Sequence, residues 1–214
     1  MQIVTRRAGA LLASVLSLAL TGALGAAAVN VTSDVDQEAL VGKKAPDFTL
    51  TDLEGKEHKL SDYTAAGKTV VLEWFNPSCP FVVKHYENNA DTMDALHKEF
   101  KDRDVVWLAI NSGKDGHPTA DRAMNLAAHK KWDMQHPILM DASGKVGSAY
   151  GAVTTPNMYI VDTDGMLRYA GAIDNDRRRG IGSTNFVRDA LTAVLAGETV
   201  KTSFEKPYGC SVKY

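Results

Sequence analysis

The chain has 214 residues, of which 44% are hydrophobic, and this is enough to bury a full core within one domain. Its formal net charge at pH 7 is -2. The sequence therefore lacks the basic excess that phosphate backbones select, and we expect no nucleic-acid partner.

Residues 1–28 differ in composition from the rest of the chain. Arg6 and Arg7 precede an uncharged, Ala/Leu-rich apolar run, which ends in small residues up to Ala28. This pattern is typical of a secretory signal peptide that is cleaved after about Ala28. An uncleaved membrane anchor is the alternative, because the run approaches the roughly 20 residues that a spanning helix needs. With the leader removed, we expect a periplasmic or secreted protein that does not associate with a membrane.

The mature chain opens with a predicted β-hairpin between residues 41 and 59, whose turn lies at 52–55. A near-continuous apolar run at 69–75 then predicts a strand that is buried on both faces. From 79 to 100, apolar residues recur at helical spacing. Cys79 is therefore predicted to open a helix.

Strands and helices continue to alternate in the second half of the chain. The predicted elements are a buried strand at 105–110, a helix at 119–131, a strand at 137–140, a helix at 145–150, a hairpin of strands at 157–161 and 166–172, and a last helix that Ser183 or Thr184 caps and that ends near Gly197. This alternation indicates an α/β fold with parallel strands joined by crossover helices.

The mature chain has two cysteines, and an oxidising compartment would allow them to pair. Cys79 lies in the predicted domain at 41–197, and Cys210 lies in the tail at 198–214. Such tails are mobile unless they are tied down. A bridge across so long a loop could stabilise the fold by roughly 4 to 5 kcal/mol, so a permanent structural disulfide is an alternative to a reversible one.

Cys79 is the candidate nucleophile. A cysteine at a helix N-terminus lies near unpaired N–H groups and the positive end of the helix dipole, which both favour the thiolate. Pro77 and Pro80 restrict the backbone on either side of it. The Thr155-Pro156 bond, directly before the late hairpin, is predicted to be cis, because this isomer is essentially confined to proline. A plain turn is the alternative for that step.

A buried strand leading to a helix that starts with cysteine, together with Thr155-Pro156 before a hairpin, resembles the thioredoxin superfamily. The Pro-Asp-Phe-Thr-Leu motif at 46–50 is similar to the redoxin branch, which holds the alkyl hydroperoxide reductase and thiol-specific antioxidant proteins and exported thiol-disulfide oxidoreductases. The resemblance covers about residues 41–197. It implies a thioredoxin-like central mixed β-sheet flanked by helices, with an N-terminal β-hairpin extension, and it implies that Pro156 lies against Cys79.

The sequence departs from that family at three positions. The usual Cys-x-x-Cys motif is broken, because Val82 stands where the local resolving cysteine would be. Asn76 stands where typical peroxiredoxins have Thr or Ser three residues before the peroxidatic cysteine, and Thr155-Pro156 replaces their loop arginine. An ordinary peroxiredoxin site is therefore not expected.

The resemblance implies a thiol-dependent oxidoreductase without a cofactor. Cys79 would attack a peroxide or a protein disulfide, and Cys210 would act as the resolving cysteine that is missing at Val82. A thioredoxin-like protein or a small thiol would then restore the reduced form. Glu73 occupies the place where thioredoxins hold a buried acid and could transfer protons, although a salt bridge at a sheet edge is the alternative.

A different class of function remains open, namely a non-catalytic thioredoxin-fold binding module or a copper or zinc carrier with a structural Cys79–Cys210 bridge. His85 and His136 are the further candidate ligands, but no close Cys/His spacing supports this hypothesis. Lys84 and His85 could add positive charge near the sulfur, but solvated surface is the preferred interpretation. The charge run at 174–179 is interpreted as a solvated loop.

Overall fold

The structure is a computed structural model that describes residues 1–2, 36–87 and 92–214. Apart from its first two residues, the predicted signal peptide lies outside the described residues. Within these ranges, no helix combines the length and the apolar character that crossing a membrane requires.

The helices and strands follow one another along the chain in the predicted alternation. The helices are α1 (Gln37–Leu40), α2 (Leu60–Ala65), α3 (Pro80–Tyr86), α4 (Thr92–Phe100), α5 (Arg122–Lys131), α6 (Lys145–Ala149) and α7 (Phe186–Leu195). The strands are β1 (Thr49–Asp52), β2 (Glu57–Lys59), β3 (Thr69–Trp74), β4 (Val105–Asn111), β5 (Ile138–Met140), β6 (Thr154–Thr155), β7 (Met158–Val161), β8 (Leu167–Gly171), β9 (Phe204–Glu205) and β10 (Cys210–Ser211).

In the described part of the chain, eight strands form one mixed sheet in the order β2-β1-β5-β4-β3-β7-β8-β9. Strands β3, β4 and β5 are parallel, whereas β7 runs antiparallel to β3 and to β8. The predicted N-terminal hairpin, β1 and β2, extends the sheet through antiparallel pairing of β1 with β5. The α/β fold with a central mixed sheet is therefore confirmed.

Strand β3 lies at the centre of the sheet, and both of its faces are buried. Successive side chains of a strand point to opposite faces. Val71 and Phe75 pack with residues of α3, α4 and α7 on one face, whereas Leu72 and Trp74 pack with α2 on the other. The same alternation places Glu73 on the face that α3 covers.

The single helix predicted from 79 to 100 is wrong in its extent. Helix α3 ends at Tyr86, and Glu87 has an extended backbone with ψ 178°. The Glu87 carboxylate accepts hydrogen bonds from Trp132 Nε1 at 2.8 Å and Lys131 Nζ at 2.6 Å. These contacts with the end of α5 hold Glu87 outside the helical path.

Two other helices begin at different residues from those predicted, because side chains cap them there. Helix α5 begins after Asp121, whose carboxylate accepts a hydrogen bond from the backbone N–H three residues later. A short 3-10 helix, Pro118–Ala120, precedes it. Helix α7 is capped by Asn185, and not by Ser183 or Thr184 as predicted.

The C-terminal tail is attached to the domain at two places. Strand β9 pairs in parallel with β8 at the sheet edge, and β10 pairs antiparallel with β6. Gly171, in β8, has φ 132°, and a Cβ there would overlap the carbonyl oxygen of Glu205. The close approach of β9 therefore requires glycine at this position.

Replacement of Gly171 by alanine should lower the free energy of unfolding by roughly 2 kcal/mol or more, because Cβ and the Glu205 carbonyl would overlap in a strained backbone conformation. Urea unfolding followed by circular dichroism measures the change. Gly55→Ala is the matched control, because Gly55 also has positive φ but has open space around it. Equal losses in the two variants would mean that the approach of β9 does not depend on Gly171.

Candidate active site

Cys79 lies at the N-cap of α3, after the turn that follows β3. Its carbonyl accepts hydrogen bonds from the N–H groups of Val82 and Val83, both at 2.9 Å, and thereby starts the helix. The residue is only 1% exposed. Its sulfur makes no capping bond, and Pro80 in the first turn contributes no N–H. The helix therefore begins at Cys79 as predicted, but the thiol is directed elsewhere.

The thiol of Cys79 donates a hydrogen bond to the carbonyl oxygen of Thr155 at 2.9 Å. The Thr155-Pro156 bond is cis, as predicted. The sheet brings these segments together, because the end of β3 meets the start of β7 and Trp74 N–H donates to the carbonyl of Asn157 at 2.9 Å. The expected contact between the proline loop and Cys79 is thus present.

Cys210 reaches the same place from the C-terminal tail. Its backbone lies opposite Thr155 in the β10–β6 pair, the same residue whose carbonyl accepts the hydrogen bond from the Cys79 thiol. Burial, together with the neighbouring Cys79, raises the pKa of Cys210 to about 11. Both cysteines carry free thiols. Cys210 therefore keeps its proton at neutral pH.

The turn between β3 and Cys79 is organised by Asn76. Its buried side chain accepts a hydrogen bond from the N–H of Ser78 at 2.9 Å, and its carbonyl accepts one from the N–H of Cys79 at 3.0 Å. The side chain of Asn76 is thus used in shaping the backbone that presents the cysteine.

Glu73 is completely buried in the middle of the sheet. Its Oε2 accepts hydrogen bonds from Tyr86 Oη at 2.8 Å and Trp107 Nε1 at 3.0 Å. Burial raises its pKa to about 8, against the opposing effect of both hydrogen bonds. The position excludes the salt bridge at a sheet edge. Among the described residues, the hydrogen bonds of Glu73 lead to α3 and β4 and not to either cysteine.

His136 is buried next to Glu73, with Nε2 at 3.9 Å from the carboxylate oxygen Oε2. Burial, together with nearby His97 and His129, lowers the pKa of His136 to about 3. At neutral pH the imidazole is therefore neutral, and the carboxyl group of Glu73 keeps its proton. The two groups form a neutral polar cluster with Tyr86 and not an ion pair.

Lys84 is buried, and its interpretation as solvated surface is wrong. Its ammonium group donates hydrogen bonds to three carbonyl oxygens of the loop that follows β8, those of Asp176 at 2.7 Å, Arg178 at 3.2 Å and Gly180 at 2.9 Å. It also lies 4.6 Å from the ring centroid of Tyr208. The charge run after β8 is consequently bound to α3 through its backbone.

His85 is also buried, contrary to expectation. Its Nε2 lies 3.2 Å from Tyr208 Oη, and Tyr208 in turn donates to the carboxylate of Asp174. Burial lowers the pKa of His85 to about 4, so the imidazole is neutral at pH 7. The helical spacing could have revealed this role, because His85 follows Val82 by one turn on the buried face.

The structure does not support the metal-carrier hypothesis. In the described ranges, no group of three or more His, Cys, Asp or Glu side chains is arranged to hold a metal ion. His85 bonds to Tyr208, whereas His136 lies beside Glu73. The two histidines thus belong to different polar clusters, and the four predicted ligands do not converge.

Residues 41–170 match the AhpC/TSA family. The thiol-disulfide oxidoreductase ResA of Bacillus cereus is 29% identical over 153 residues, which are 72% of this chain and 82% of that protein. A hypothetical protein of Sinorhizobium meliloti has a similar crystal structure, with a TM-score of 0.72 and 29% identity over 81% of this chain and 94% of that one.

A putative thiol:disulfide interchange protein DsbE of Chlorobium tepidum shares the thioredoxin-like fold, with a TM-score of 0.53 and 22% identity over 73% of this chain and 96% of that one. The family match covers more than half of the chain and includes the strand that leads to Cys79. The chain therefore belongs to the AhpC/TSA family and is a thiol-dependent oxidoreductase.

Proposed function

We propose that this protein performs thiol-disulfide exchange with protein substrates, with Cys79 as the nucleophile and Cys210 as the resolving cysteine. The observation that carries the proposal is the position of Cys210. Its backbone pairs with Thr155, whose carbonyl oxygen accepts the hydrogen bond from the Cys79 thiol at 2.9 Å. A cysteine on an extended segment is thus placed where it can exchange with Cys79.

The reaction follows from this geometry in two steps. The thiolate of Cys79 attacks one sulfur of the substrate disulfide, forms a mixed disulfide and releases the other substrate sulfur as a thiolate. Cys210 then attacks the Cys79 sulfur, and its proton passes to the second substrate sulfur as this sulfur leaves. The substrate gains two electrons, and the protein is left with a Cys79–Cys210 disulfide. An external dithiol or two small thiols reduce this bond again.

Pro156 and Thr155 provide the backbone surface for the first step. Proline has no backbone N–H, so Pro156 offers no hydrogen-bond donor beside the Thr155 carbonyl. The backbone next to the sulfur therefore presents the Thr155 carbonyl as an acceptor. In the reduced protein this carbonyl accepts a hydrogen bond from the Cys79 thiol. A substrate segment can pair with the same edge by adding a strand, which is a common mode of peptide recognition.

We assign Glu73 an indirect role as a positioning residue. Its carboxyl group is protonated at neutral pH and binds Tyr86 in α3, the helix that Cys79 caps. The hydrogen bond from Tyr86 thus fixes the end of the helix whose N-cap residue presents the sulfur.

Export fits this chemistry. The apolar leader predicted at residues 1–28 would deliver the protein to the periplasm or outside the cell, where disulfides persist. We further propose a thioredoxin-like protein or a small thiol as the reductant, since the protein needs two electrons after each turnover.

Peroxide reduction is the second candidate, and membership of the AhpC/TSA family favours it. Cys79 would attack one peroxide oxygen, become a sulfenic acid and release the other oxygen as water or an alcohol. The Cys210 thiol would then attack the sulfenic sulfur and release its oxygen as water, which forms the same disulfide. However, Asn76 stands where typical peroxiredoxins have Thr or Ser, and Thr155-Pro156 replaces their loop arginine. We therefore rank disulfide exchange first.

Stopped-flow oxidation of the reduced protein distinguishes these two substrates. We expect intrinsic fluorescence to report faster oxidation by a disulfide-linked protein or peptide than by hydrogen peroxide at equal concentration. Cys79→Ser should abolish both reactions. Rapid formation of sulfenate with peroxide, combined with slow reaction with disulfides, would assign the protein to peroxide reduction instead.

Cys210→Ser should react once through Cys79 and then stop as a mixed disulfide, which intact-mass spectrometry detects. Turnover should return only when an external thiol is added, because no second cysteine remains to displace the substrate. Ser211→Ala, the neighbouring position in β10, should retain turnover as the control. Unimpaired turnover of Cys210→Ser without added thiol would remove the resolving role.

Glu73→Gln should make stability less dependent on pH. The native carboxyl holds its proton up to about pH 8, whereas the unfolded one loses it near its ordinary pKa of 4.5. The wild-type protein therefore loses stability as pH rises through this window, on the order of a few kcal/mol, and the loss ends above the native pKa. Glutamine has no proton to lose, so urea unfolding should show the variant overtaking wild type at alkaline pH. Glu57→Gln, at an exposed position of β2, serves as the control. If the stability of Glu73→Gln and of wild type depended on pH in the same way, the raised pKa of Glu73 would be contradicted.

A further inference from the structure

Strand β10 lies along β6 as an added strand. Cys210 is opposite Thr155, and Ser211 is opposite Thr154. The pairing continues through a hydrogen bond from the N–H of Val212 to the carbonyl of Val153 at 3.1 Å. A short extended segment thus covers the backbone edge next to Cys79, and it carries Cys210 opposite the residue whose carbonyl binds the Cys79 thiol.

We propose that this edge is the binding site for an extended substrate peptide in which glycine precedes the reactive cysteine, and that β10 occupies the site as an internal competitor. The inference rests on the proposed thiol-disulfide exchange and adds to it a substrate class and a constraint on access. The tail must leave the edge before a substrate cysteine can take its place, and it must return to resolve the mixed disulfide.

The preference for glycine follows from the contact of Gly209 with the proline loop. Gly209 has φ 141°, and a Cβ at this position would overlap the carbonyl oxygen of Thr155. A peptide that follows the same path with a larger residue before its cysteine would meet the same obstruction. The carbonyl of Thr155 therefore selects the residue that precedes the exchanging cysteine.

The pairing is suited to exchange because β10 itself is short. It comprises two residues, and the firmer attachments of the tail lie on either side of it. Tyr208 packs edge-on against Phe81 before β10, and Tyr214 donates to the carbonyl of Ala152 at 2.7 Å after it. The segment between these anchors can leave β6 while the rest of the tail stays attached.

Access to Cys79 depends on this release, because the residue is 1% exposed with β10 in place. When a binding-competent state is only partly populated, the apparent affinity falls by that fraction. Displacing β10 should therefore accelerate the attack of Cys79 on an incoming peptide disulfide. The same change should slow closure of the Cys79–Cys210 bond, because Cys210 is then held less often against Cys79.

The test measures the first step alone, in full-length protein that carries Cys210→Ser. The probe is a peptide with the sequence of residues 208–212, joined by a disulfide to glutathione, and stopped-flow mixing followed by mass spectrometry gives the rate of mixed-disulfide formation. Adding Gly209→Ala should raise this rate by roughly tenfold, because the new Cβ expels β10. Gly197→Ala is the matched control, since Gly197 has φ 70° and open space around it.

A second variant covers the case in which Gly209→Ala does not fold. Tyr214→Ala removes a tail anchor that is remote from the reacting sulfurs, and it should raise the rate in the same direction by a smaller factor. A second probe, with alanine in place of the peptide glycine, should react more slowly than the first in every folded variant. This comparison tests the edge itself and not merely the exposure of Cys79.

The outcomes separate the inference from the function on which it rests. No reaction of Cys79 with either peptide disulfide, in any variant, would overturn the proposed exchange activity. Reaction at equal rates in folded Tyr214→Ala, the Gly209→Ala variant and their parent would overturn the competition by β10. Equal rates for the glycine and alanine peptides would overturn the selection by Thr155.

Discussion

The carbonyl oxygen of Thr155 is the point at which the two cysteines of this protein converge. It accepts a hydrogen bond from the Cys79 thiol at 2.9 Å, and Gly209 lies so close to it that a side chain at position 209 would overlap it. Its position is imposed by the antiparallel pairing of β3 with β7, which places the start of α3 and the proline loop at the same end of the sheet. Because both the nucleophile and the tail use this one oxygen, a shift of the loop would disturb them together.

Helix α3 connects Cys79 to the buried core. It has seven residues, with Cys79 at its N-cap and Tyr86 at its end. Tyr86 donates to Glu73 at 2.8 Å, so the far end of the helix is attached to the central strand by a buried hydrogen bond. On another side, Lys84 binds the loop after β8, and its three ammonium donors are matched by three carbonyls. A lysine so deeply placed is tolerated because its charge is fully hydrogen-bonded.

The parts of the site that the sequence predicted are those with local signals. An apolar run gave the central strand, helical spacing placed Cys79 at the start of α3, and the Thr155-Pro156 step indicated the cis loop. The burial of Lys84 and His85 was missed because it depends on a loop and a tail about one hundred residues away. Strand β10 was missed because two residues are too few to show an alternating pattern.

A resolving cysteine in the tail differs physically from one in the same helix. In a Cys-x-x-Cys motif the second sulfur is fixed by helical geometry and leaves the neighbouring strand edge free. Here Val82 occupies that helical position, and Cys210 arrives with its own strand. The attacking sulfur and its backbone therefore occupy the edge that the proposed substrate needs, so stronger pairing of β10 favours resolution and opposes substrate entry. The two-residue length of β10 is consistent with a balance between these demands, since each additional pair would make the tail a better resolver and a more obstructive competitor.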